Sequence, residues 1–171
     1  MKHLKYFNEN FNPKVFSAKI NAERFTPLNI KRIVDNYLRC ALWVADDENN
    51  FEDKTIYDFS DEAERQAKKE IEWFVDAARD AIVSTNISDD AIGHDLWLTR
   101  NNHGAGFWDR GYKKEDEEEL SELCKILGEV WIELGDDGKI YFTPSDEYKK
   151  FDIEKWKEER KLKRDTKKYN L

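Results

Sequence analysis

Residues 92–111 read IGHDLWLTRNNHGAGFWDRG, and how this run folds decides the architecture of the chain. From Ile92 to Arg100, Leu96 and Leu98 alternate with Asp95, Trp97 and Thr99, a period of two that predicts a two-faced strand. The polar link Asn101-Asn102-His103-Gly104 predicts a reversal, and residues 106–110 then return as a paired strand. Further along, WIELGDDGKIYF at residues 131–142 predicts a second hairpin, with two short apolar runs around Asp136-Asp137-Gly138.

Helices surround these hairpins. Over residues 28–45, Ile30, Ile33, Val34, Tyr37, Leu38, Ala41 and Leu42 recur at three- and four-residue steps behind Thr26-Pro27, which supply a cap and a first-turn proline. A polar loop follows over residues 46–59, its IYDF segment pinned to the core. Ser60, with Asp61 and Glu62 behind it, opens a second helix over residues 60–84. A third, over residues 114–127, is acidic at its start, apolar at Leu120, Leu123, Ile126 and Leu127, and stopped by Gly128. A last, charged helix over residues 152–168 has only Ile153, Trp156 and Leu162 to bury. The expected class is therefore α+β. A small antiparallel sheet of two hairpins packs with three core helices in one domain over residues 1–148, and residues 149–171 form a charged helical extension.

Composition sets bounds on function. The 171 residues are 39% apolar and 39% charged, against usual values near 45–50% and about 25%, yet ten Phe, seven Tyr and six Trp imply a folded core. Cys40 and Cys124 stand far apart, which excludes a disulfide framework and a cysteine-based zinc site and favours a reducing compartment. No apolar run reaches about 18 residues, and the N-terminal MKHLKYFNENF has no signal-peptide core, so no membrane association is expected. The net charge of −8 divides unevenly: residues 149–168 hold ten basic and five acidic residues, leaving −13 on residues 1–148. Such a body repels nucleic-acid phosphate, so direct nucleic-acid binding is expected only through the basic tail. Charge runs usually mark a solvated surface. The sharper reading makes Asp46, Asp47 and Glu48, with Glu115, Asp116, Glu117 and Glu118, a docking face for a partner protein with a basic surface.

Residues 93–111 hold four of the seven glycines, two of the three histidines, two tryptophans and two arginines. Histidine exchanges protons near neutral pH, arginine offers a planar fork to phosphate, and tryptophan gives a stacking platform. A nucleotide would use all three. His103 with Asp109 or Asp95 forms a candidate acid–base pair, and His94 with Asp95, on opposite faces of a strand, cannot easily share a metal. Trp97, Thr99, Arg100, Asn101, Trp108 and Arg110 are the candidate ligand contacts. Each has a plainer explanation. The arginines pair with Asp95 and Asp109 to lock the hairpin, the tryptophans are core, and the asparagines are turn residues. Asp136-Asp137 is most simply a hairpin tip, and the cysteines are buried small hydrophobes. No cofactor or metal is assigned.

NYLRCALW (residues 36–43), GHDLWLTRNNHGAGFWDRG (93–111) and GEVWIELGDDGKIYF (128–142), in that order, resemble a family of small accessory proteins from tailed bacteriophages and related mobile elements. There the pattern runs approximately YLECALW, GHDFWLTRNGHGAGFWDRG and GDDGxIY. This chain has Leu96 in place of an aromatic residue and Asn102 in place of glycine. The resemblance covers about residues 30–142 and implies a phage accessory context in the host cytoplasm, with no particular reaction. It favours a protein that binds and modulates a host protein, such as a defence or nucleic-acid-processing system. The alternative is an enzyme, or a binder of nucleotides or phosphoesters, working through residues 93–111.

Overall fold

The structure is a computed structural model, and it describes residues 27–45 and 51–144. Helix α1, Pro27–Ala45, opens on its proline and buries Ile30, Ile33, Val34, Tyr37, Leu38 and Ala41, the stripe that the helical spacing predicts. A 3-10 turn, Ile56–Asp58, leads to α2, Asp61–Ala77. Ser60 caps α2, its Oγ accepting from the Ala63 N–H at 3.2 Å, and Asp61, Glu62 and Glu64 face the positive end of the helix dipole.

The single helix expected over residues 60–84 is two helices. The backbone breaks at Ala78 and restarts as α3, Arg79–Thr85, which Asn86 ends in the left-handed region at φ 50°. Neither glycine nor proline marks the break. The apolar stripe runs through it, so the pattern shows no interruption.

The larger correction concerns residues 92–100, which are helical. Helix α4, Asp89–Arg100, is capped by Ser88, whose Oγ accepts from the Ala91 N–H at 3.3 Å, with Asp89 and Asp90 in the first turn. Residues 106–110 form a 3-10 turn, Phe107–Asp109, so the first expected hairpin is absent. The physical reason is burial on nearly every side. Ile92, Gly93 and every residue from Asp95 to Arg100 are buried, because α4 lies against α1, α5 and the 3-10 turn. A helix covered all round has no single apolar stripe, and its polar residues, satisfied internally, imitate an alternating strand. Ser88 followed by Asp89 and Asp90 is the local feature that marks the start of this helix.

Helix α5, Lys114–Leu127, follows and stops at Gly128, where φ is 70°. Strands β1, Val130–Leu134, and β2, Ile140–Pro144, pair antiparallel in the register Ile132 to Phe142, and a bridge between Phe59 and Ile140 ties this hairpin to the start of α2. Five helices and one two-stranded sheet make the described fold α+β. The expected charged helix over residues 152–168 lies outside the described residues.

The closest crossing is between α1 and α4. At Gly93 a Cβ would sit 2.3 Å from the Ile33 carbonyl oxygen and 2.8 Å from the Tyr37 nitrogen, so only glycine lets the two backbones approach this closely. Tyr37 then meets Trp97 edge-on with ring centres 5.0 Å apart, and Phe74 of α2 stacks on Phe107 at 5.7 Å.

Candidate functional site

Helix α4 and the turn behind it carry the residues singled out in the sequence, and the structure divides them into inward locks and outward groups. Arg100 is an inward lock. Its side chain has no solvent exposure, and it donates through Nη1 to the Tyr37 hydroxyl at 2.6 Å and to Glu70 Oε2 at 2.7 Å. Through Nε and Nη2 it donates to the carbonyls of Gly128 and Leu127 at 2.8 and 3.1 Å. Burial works against its charge, but Tyr37 and Glu70 outweigh this and hold the guanidinium protonated. Burial likewise raises the Tyr37 hydroxyl above its ordinary range. Arg100 therefore joins α4 to α1, α2 and the end of α5, and it is not available to phosphate.

Asn101 is buried. Its Oδ1 accepts from the Val130 N–H at 2.9 Å and its Nδ2 donates to the Trp97 carbonyl at 3.1 Å, which fixes the start of β1 to the end of α4. Thr99 Oγ1 accepts from the Phe107 N–H at 3.1 Å, and Asp109 Oδ1 accepts from the Gly106 N–H at 3.1 Å. Trp97 is core. His103 donates its backbone N–H to the Leu98 carbonyl at 3.0 Å, and its Nε2 is buried without a hydrogen-bond partner among the described residues. No hydrogen bond joins the His103 side chain to Asp109 or Asp95 among the described residues.

The outward groups gather around Asp95. This carboxylate, only 2% exposed, is gripped at both oxygens by Arg110, Nε to Oδ2 at 2.9 Å and Nη2 to Oδ1 at 2.6 Å. That fork raises the Arg110 pKa above its ordinary value. His94 Nδ1 reaches the same Oδ1 at 3.1 Å. Adjacent strand residues point to opposite faces, whereas adjacent helical residues lie about 100° apart, so the helix brings His94 and Asp95 together. The His94 side chain is 42% exposed, and the indole of Trp43, 68% exposed on α1, lies 6.1 Å from it at a tilt of 31°. Trp43 lies within the quoted NYLRCALW stretch but was not among the candidate residues. It falls off the apolar stripe of α1, and an exposed tryptophan off a helix's buried face is the signal that could have found it.

Of the acidic candidates, Asp46, Asp47 and Glu48 lie outside the described residues. Glu115, Asp116, Glu117 and Glu118 occupy the start of α5, where Asp116 accepts from the Ser84 hydroxyl at 2.7 Å and Glu118 pairs with Lys114 at 3.6 Å. Trp108 is 42% exposed on the 3-10 turn that packs against α5. Asp137 closes the hairpin tip, accepting from the Lys139 N–H and the Tyr141 hydroxyl, and those bonds hold it below the usual carboxylate range. Burial pushes the Cys40 thiol up to about 12 and that of Cys124 well above its ordinary value, so neither is a nucleophile at neutral pH.

A groove of about 700 Å³ runs between α1 and α2 past Ile30, Val34, Leu38, Ile56 and Val75. It includes none of the sequence-derived candidates. No group of three or more His, Cys, Asp or Glu among the described residues could hold a metal ion, and no described helix is long and apolar enough to cross a membrane. Comparison with protein-family models, with curated proteins and with solved structures finds no match.

Proposed function

We propose that the protein is a phage accessory factor that acts by binding a basic host protein through the acidic start of α5 and the neighbouring indole of Trp108. One observation carries the reading. Trp108 is 42% exposed on a turn that packs on α5, the helix whose first turn carries Glu115, Asp116 and Glu117. The wider charge agrees with it: residues 27–45 and 51–144 hold 14 Lys and Arg against 25 Asp and Glu. On the resemblance read from the motifs at residues 36–43, 93–111 and 128–142, the partner is expected to be a host protein. The alternative, an enzyme or a nucleotide or phosphoester binder working through residues 93–111, loses Arg100, Asn101 and Thr99 as ligand contacts, because their hydrogen-bonding groups serve the fold.

The test is capture of a partner from host-type bacterial lysate by the full chain, its identification by mass spectrometry, and titration of the purified pair. Trp108→Ala should weaken binding about 30-fold, the loss expected of a central aromatic anchor. Reversing Glu115 to Glu118 to lysine should slow association and flatten its salt dependence, with the melting transition retained. Binding that is equal in both variants, or indifferent to salt, would refute the reading.

A further inference from the structure

The geometry points to an occupant for the groove between α1 and α2: we propose that residues 1–26 of this same chain lie in it. The inference is independent of the protein partner proposed above, because the groove shares no residue with α5 or with the turn that carries Trp108. Its floor is apolar, formed by Ile30, Val34, Leu38, Ile56 and Val75. At one end stands Tyr57, which is 77% exposed although its neighbour Ile56 is buried. An exposed aromatic at the mouth of an apolar groove is an arrangement that binding surfaces use, since covering the ring takes a large apolar area out of water.

The end at Tyr57 is also where the preceding chain arrives. Lys31 lies within electrostatic reach of Tyr57 and Glu64, so the first turns of α1 and α2 stand together at this mouth. Pro27 opens α1 one turn before Ile30, so the chain enters the described fold beside the groove. From Asp61 to Val75, α2 runs about 21 Å, which about seven extended residues cover, so residues 1–26 reach the whole groove. A tether of this kind holds its occupant at an effective concentration on the order of millimolar, so a weak contact suffices.

Composition and charge fit the same occupant. Residues 1–26 hold five Lys and Arg against two Glu, together with Phe7, Phe11, Val15, Phe16 and Ile20. The described body has the opposite sign. Along the groove, Lys31, Lys68 and Arg79 pair with Asp35, Glu72 and Asp76. Asp61 and Glu64, at the mouth, are left with Arg65 alone, and Arg24 and Lys19 are the cations that next precede Pro27 in the chain. Residues 145–171 are basic as well, but they depart from Pro144. That residue pairs with Val130, at the opposite end of the hairpin from the Phe59–Ile140 bridge beside α2.

The test is paramagnetic NMR on the full chain with a spin label at Lys68→Cys, a groove position whose side chain is 64% exposed. Cys40 and Cys124 are buried, so the label goes to the introduced thiol. Amides of residues 7–20 should lose most of their intensity, equally at low and high protein concentration. Phe11→Asp combined with Phe16→Asp should restore that intensity with a cooperative melting transition retained, and Tyr57→Ala should restore part of it. The double variant separates docking from the mere nearness of a tethered segment. Full intensity at residues 7–20 in the labelled chain, or a loss that the double variant leaves unchanged, overturns the proposal. A loss confined to residues 149–168 overturns it in favour of the other end of the chain. A loss in unlabelled nitrogen-15 protein mixed with labelled protein overturns it in favour of a second copy. Failure here leaves the Trp108 titration untouched, because that residue lies outside the groove.

Discussion

Gly93→Ala sets two effects of opposite sign against each other at one position. Replacing a helical glycine by alanine removes backbone freedom from the unfolded chain and stabilises a free helix by about 1 kcal/mol. Here the added methyl meets the Ile33 carbonyl oxygen at 2.3 Å and the Tyr37 nitrogen at 2.8 Å. Both are backbone atoms of α1, so no side-chain rotation relieves the clash. Ordinary contact requires the helices to separate by about 1 Å, which loosens the packing around Tyr37 and Trp97 and strains a close-packed interior by about 1–3 kcal/mol or more. The clash exceeds the propensity gain, and the expected net loss is about 2 kcal/mol. For a chain of this size that lowers the melting temperature by roughly 4–8 °C. Urea unfolding followed by circular dichroism measures it as a fall in midpoint at constant slope. A midpoint that rises, as for a solvent-facing glycine, would refute the close α1–α4 crossing and with it the helical placement of residues 89–100.

Arg100→Met should cost about 3–5 kcal/mol, because it removes the buried Arg100–Glu70 ion pair and leaves the Tyr37 hydroxyl and the Leu127 and Gly128 carbonyls without their donor, and Arg100→Met combined with Glu70→Leu should recover only part of that loss; chemical denaturation of the single and double variants checks it. Stability should also fall in acid. Hydrogen bonds hold Asp58, Asp90 and Asp137 below the usual carboxylate range, so their stabilising contributions are present above about pH 4 and disappear as pH drops through the folded-state values. A series of melting curves from pH 7 to pH 2 should show this, and Asp137→Asn should make the descent shallower.

Much of the framework was legible in the sequence. The stripe of α1, the Ser60 cap of α2, the acidic opening and glycine stop of α5, and the Gly-Asp-Asp-Gly hairpin all follow local rules that tertiary contacts do not override. Helix α4 was misread because the usual cue, an apolar face opposite a polar one, vanishes when the polar face is buried as well. Asp95, Thr99 and Arg100 look like surface-strand residues until Arg110, the Phe107 N–H and Glu70 are known to be waiting for them, and those partners lie 8 to 30 positions away. Residues 93–111 fold as a helix and a 3-10 turn instead of a hairpin, so the candidate side chains meet different partners from those a strand pairing predicts. His94 lies on α4 with its side chain half-exposed, while His103 sits in the turn after the helix with its Nε2 buried.

Arg100 has a consequence for how the chain comes into being. Its four partners are Tyr37, Glu70, Leu127 and Gly128, so the set is complete only after Gly128 has been synthesised. On the ribosome, α1, α2 and α4 emerge with a cation that lacks its C-terminal carbonyls and cannot be fully desolvated. A chain that ends before Leu127 therefore lacks two of the four partners of Arg100 and is expected to pack α1, α2 and α4 less stably than the full domain. One buried guanidinium thus couples the C-terminal end of α5 to helices that precede it by up to about 90 residues, and limited proteolysis of chains cut before Leu127 should report the loss of that coupling.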